Sequence, residues 1–109
     1  MGAYLLLALA IAAEVSATIS LKLSEGFSKV GPSIIVVVGY AIAFVALARV
    51  LKMGLAVGVA YAIWAAAGVA LVAIIGVVFL KEPVNAAMIA GLALVIGGVV
   101  LIELGSASA

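Results

Sequence analysis

One carboxylate, Glu14, stands inside a stretch, residues 3–21, that holds no other charged side chain. A charge at the centre of a membrane-spanning helix costs about 2.5–3.5 kcal/mol on insertion scales, so such groups are rare and usually mark proton or cation sites. No Lys or Arg lies within a helical turn of Glu14. At the i±3 and i±4 positions stand Ala10, Ile11, Ala17 and Thr18. This mostly small face leaves space that another helix or a ligand could fill. Two readings are open: a protonated acid hydrogen-bonded between helices, or a carboxylate exchanged between a proton and a cation. In the second, proton and cation compete for one group, which is the minimum chemistry for antiport. Glu25 and Glu82 fall in loops, and Glu103 ends the fourth apolar run, where snorkelling to the interface accounts for it.

Other chemistries are excluded by residue type. The chain has no Cys and no His, which removes disulfides, thiolate catalysis, zinc sites and the usual neutral-pH base. No metal and no cofactor is called for, and an energy source would have to be a proton gradient. A net charge of +1 offers no basic surface for nucleic acid. Aromatics supply a second type of cation contact. Tyr40 lies well inside the second apolar run, and Tyr61 and Trp64 stand i, i+3 on the third. Packing and interface anchoring would explain them without a nearby carboxylate. With Glu14 in the chain, a cage of Glu14, Tyr40, Tyr61 and Trp64 is the expectation, with Ala10 and Thr18 on the Glu14 face as further candidate binding residues.

These residues need elements to hold them. Of the 109 residues, 71% are hydrophobic and 8% charged, against roughly a quarter charged in a soluble domain. A soluble fold of this length could not hide so much apolar surface, and a soluble enzyme is excluded. About 20 apolar residues span a bilayer. Charges and turn residues divide the chain into four such runs, 3–21, 33–50, 57–80 and 86–104, in one domain over residues 1–109. The first lacks the positive n-region of a signal peptide and is read as a retained helix. Pro32 suits a helix first turn and Asn85 an N-cap, while residues 105–109 read as a frayed tail. The fold class is all-α integral membrane: four transmembrane helices with short loops, neighbours antiparallel, and both termini on one side.

Loop charges barely orient the chain. Lys22, Lys29 and Lys81 lie on one side, Arg49 and Lys52 on the other. Either a small bias inserts every copy one way, or copies insert both ways. On the fourth run, Gly91 and Gly98 flank Leu94, with Gly97 and Val99 adjoining. Small residues at this spacing mark a stripe where another helix can approach closely. The three remaining helices are too few to enclose a substrate pathway, and a second copy would double the helices and supply a second Glu14. On the third run, Ala65-Ala66-Ala67-Gly68 is a bend or close packing, with Gly68 the only candidate hinge.

The pattern resembles the small multidrug resistance family along nearly the whole chain. The resemblance rests on Ala13-Glu14-Val15, Leu21-Lys22, Ser24-Glu25-Gly26-Phe27, Pro32-Ser33, Tyr40, Ala60-Tyr61-Ala62-Ile63-Trp64 and the Gly91/Leu94/Gly98 stripe, in order and spacing. It implies a bacterial inner-membrane exporter that works as an antiparallel, dual-topology homodimer. Alternating access would exchange protons for an organic cation at paired Glu14 residues, with Tyr40, Tyr61 and Trp64 lining the site. The fourth helices, through Gly91, Leu94, Gly98 and Val99, would form the dimer contact. Ala13-Glu14-Val15-Ser16-Ala17-Thr18 looks like the branch that exports quaternary ammonium compounds; the guanidinium branch typically has Trp where this chain has Ser16. Lys81-Glu82-Pro83 is also seen in the guanidinium branch, and Ala66 replaces the first glycine of the family's usual Gly-x-Gly bend. A guanidinium exporter is thus the alternative within the family. A non-transporting partner in a larger membrane assembly is the alternative outside it, with only lipid and neighbouring proteins as partners.

Overall fold

The computed structural model describes residues 2–108, with side chains through Ser106. It contains four helices: α1 (Gly2–Leu23), α2 (Val30–Lys52), α3 (Val57–Val78) and α4 (Ala86–Ser108). Each is long and apolar enough to cross a membrane. In hydrocarbon every backbone polar group must be satisfied internally, so even the Val- and Ile-rich α2 is helical. The chain divides into two compact units, Met1–Leu55 and Ala56–Ala109, each built on one helical hairpin.

The first unit pairs α1 with α2. Their closest approach is at Gly39, where a Cβ would stand 2.9 Å from Ala17 Cβ and 3.1 Å from the Ala13 carbonyl oxygen. The small pair Ala13 and Ala17, one turn apart on α1, thus receives the bare backbone of α2. Leu7, Ala10, Ala17, Ala43 and Val50 are buried. The connecting loop turns on Ser24, which is fully buried. Its hydroxyl donates to the Leu21 carbonyl at 2.7 Å and accepts from the Phe27 N–H at 3.0 Å. Its carbonyl accepts from the N–H groups of Ser28 and Lys29. That closure lets Glu25, Gly26 and Phe27 run through three successive left-handed conformations. α2 begins at Val30, three residues before the expected 33, because Pro32 falls in the first turn, where an N–H has no intrahelical partner to lose.

The second unit pairs α3 with α4. α3 closes at Val78, not at the expected Leu80. The N–H groups of Phe79 and Leu80 both donate to the Ile75 carbonyl, and Lys81 turns left-handed. Glu82 N–H then folds back onto the Gly76 carbonyl, and Pro83 disfavours any return of Glu82 to helix. Asn85 caps α4, its Oδ1 accepting from the Met88 N–H at 3.0 Å. α4 continues to Ser108, past the expected 104, so the tail expected to fray is helical through that residue; Ala109 lies outside the described residues. α3 runs unbroken through Gly68, which is buried. No described residue of α4 is buried.

Candidate functional site

The polar centre of the first hairpin is built by helical periodicity and one close contact. Thr18 sits one turn after Glu14, so its hydroxyl reaches back and donates to Glu14 Oε1 at 3.0 Å. Gly39 draws α2 against Ala13 and Ala17, and this sets the adjacent Tyr40 beside Thr18, with Tyr40 Oη 2.7 Å from Thr18 Oγ1. A threonine hydroxyl carries one proton. Because that proton goes to Glu14, the Tyr40 hydroxyl donates to Thr18. The result is a directed chain, Tyr40 to Thr18 to Glu14, ending on the carboxylate.

The other carboxylate oxygen is the informative atom. Glu14 Oε2 is buried and has no hydrogen-bond partner among the described residues. An acceptor left in that state costs free energy, more when it is charged. Ser16, two residues on, does not contribute, since its hydroxyl donates to the Ala12 carbonyl at 2.8 Å.

The remaining expected residues fall in different settings. Ala10 is fully buried one turn before Glu14. Tyr61 and Trp64 belong to the second unit and differ sharply in exposure, 63% against 7%, although they lie i, i+3 on α3. On α4, Leu94 is 77% exposed, and a Cβ at Gly91 or Gly98 would meet nothing within 4 Å. Val99 lies partly toward α3, lining a shallow apolar groove with Ile63, Ala66, Ala67 and Ala70. Among the described residues no group of acids, His or Cys could hold a metal ion.

Gly39 was not singled out from the sequence. Its signal was a glycine next to a polar aromatic, facing Ala13 and Ala17 at small-xxx-small spacing, but nothing in one chain fixes the register between two helices.

The family profile described as small multidrug resistance protein matches residues 2–95. The chain belongs to this family. It is 46% identical to a multidrug transporter of Pseudomonas aeruginosa over 93% of this chain and 91% of that protein. It is 44% identical to a multidrug resistance protein of Mycolicibacterium paratuberculosis, over 93% and 94% of the two chains. It is 43% identical to a quaternary ammonium compound-resistance protein of Escherichia coli, over 95% and 94%. The protein is accordingly a multidrug efflux transporter of the small multidrug resistance family, not an enzyme, and a multi-pass protein of a bacterial membrane.

Proposed function

We propose that this transporter is a proton-coupled antiporter that exports lipophilic or quaternary ammonium cations by alternating access, with proton and substrate competing for Glu14. The observation that carries the reading is the buried, unpartnered Oε2 of Glu14. One oxygen is held by Thr18 and so is oriented; the other is left for the exchangeable ligand. A proton on the carboxylate removes the charge that attracts a cation. A bound organic cation supplies the countercharge and excludes the proton. The Tyr40–Thr18 chain fits both states, because hydroxyls can reverse donor and acceptor roles when the carboxylate gains its own proton. Quaternary ammonium substrates are favoured by the likeness to the Escherichia coli resistance protein, by the desolvated setting and by the aromatic Tyr40 at the site.

Within the same proposal, the working unit is an antiparallel, dual-topology homodimer, each copy contributing one Glu14. Support comes from the near balance of basic residues in the connections and from α4, which presents Gly91, Leu94 and Gly98 outward. Tyr61 and Trp64 would complete the aromatic wall, and Gly68 would be the residue at which α3 bends during exchange.

The test is a pH titration of quaternary ammonium binding to the purified protein, with and without Glu14→Gln. Affinity should fall as pH is lowered in the wild type and be lost, with its pH dependence, in the variant. Wild-type affinity and an intact pH profile in Glu14→Gln would remove Glu14 from the mechanism. Selective coupling of guanidinium in a side-by-side transport assay would reassign the substrate.

A further inference from the structure

We infer that the first hairpin carries a binding site for one anionic phospholipid. A groove of about 860 Å³ runs between α1 and α2, lined by Leu6, Leu9, Ala41, Ile42, Val45 and Ala46 and ending at Arg49, Lys52 and Met53. From Ala41 to Lys52 is eleven residues, or roughly 16 Å along the helix. That is about one leaflet of a hydrocarbon core ~30 Å thick. The apolar end therefore lies near the bilayer centre, and the two cations lie at headgroup depth, where α2 ends.

The groove has the two halves of a lipid's chemistry in the right order. Its walls are aliphatic and open, with Leu9, Ile42 and Val45 about half-exposed or more. Its mouth holds two exposed basic side chains on one turn of α2. Neither is ion-paired among the described residues; the acid at the other loop, Glu25, is taken by Lys29 at 2.7 Å. Snorkelling and the α2 C-terminal dipole would by themselves account for the position of these cations. They would not account for an apolar groove, one leaflet deep, leading up to them. A basic pocket between membrane helices that opens at the interface is suited to a phosphate headgroup with no compensating cation, with an acyl chain in the groove behind it. A zwitterionic headgroup brings its own ammonium and would gain less.

Native mass spectrometry of the full-length protein tests this, using phosphatidylglycerol and phosphatidylcholine with identical acyl chains. Wild type should retain phosphatidylglycerol preferentially, saturating at one lipid per chain. The double variant R49Q/K52Q should lose about thirty-fold in that preference, at the electrostatic contribution expected for two interfacial basic residues. R49K keeps the charge and should keep the preference, separating headgroup recognition from misfolding. A41W, which fills the groove without touching the cations, should release both lipids. Equal retention of the two lipids by wild type, or an unchanged preference in R49Q/K52Q, would overturn the proposal. So would disulfide trapping of a second copy across V45C with no lipid retained, which would assign the groove to a protein contact.

Discussion

The contact at Gly39 makes a quantitative prediction, because it joins packing to the polar chain. In Gly39→Ala the new methyl would lie 2.9 Å from Ala17 Cβ and 3.1 Å from the Ala13 carbonyl oxygen. Neither neighbour is the free end of a long side chain, so the helices must separate. Reaching an ordinary contact of about 3.4 Å requires a shift near 0.5 Å, and overpacking of this kind costs about 1–3 kcal/mol. The same shift would lengthen the 2.7 Å contact between Tyr40 and Thr18 to about 3.2 Å, beyond the usual O–H···O range. Gly39→Ala should therefore lower both hairpin stability, by denaturant titration in micelles, and quaternary ammonium affinity, by roughly five-fold or more. The partner change Ala17→Gly removes the nearest clash, although glycine inside a helix costs up to about 1 kcal/mol. Combined, the two should couple favourably by at least about 0.5 kcal/mol. If Gly39→Ala is as stable as wild type and binds substrate equally, or if the double variant shows only the sum of its parts, the close approach does not set the position of Tyr40.

Thr18→Val keeps the shape and removes the hydroxyl shared by Glu14 and Tyr40. A hydrogen bond to a charged group contributes about 1.5–3 kcal/mol, so cation affinity by calorimetry should fall at least ten-fold, and Thr18→Ser should recover most of it. Asn85→Ala should destabilise the protein by about 1 kcal/mol through loss of the α4 cap, read as a lower midpoint of thermal unfolding, with substrate affinity unchanged.

The four helices were legible because apolar runs of spanning length separated by charged and turn residues have few other solutions. Helix ends were less so. α3 stops early because of a backbone closure, Glu82 N–H onto the Gly76 carbonyl, that no side-chain pattern announces. Ser24 looked like an ordinary loop residue, yet it is buried and organises the turn, because its hydroxyl can both donate and accept. Within the site, Glu14 stood out by its cost in lipid and Thr18 by its place one turn away. That Thr18 bonds Tyr40 directly depends on the register of α1 against α2. That register follows from Gly39, and periodicity within one helix carries no information about it.

The chain from Tyr40 through Thr18 to Glu14 has a consequence for biogenesis, since all three residues lie in the first 55. Chains emerge from the ribosome N-terminal end first, and a unit with its own contacts can form before later segments are made. Thr18 and Tyr40 can thus enter the lipid already hydrogen-bonded to each other, at a lower cost than if each waited for α3 or α4. The carboxylate enters with one oxygen held and one open. Targeting and insertion machinery would therefore handle a hairpin in which, among the described residues, Glu14 Oε2 is the buried side-chain oxygen left without a partner, and Thr18 and Tyr40 variants should show reduced membrane yield as well as altered binding.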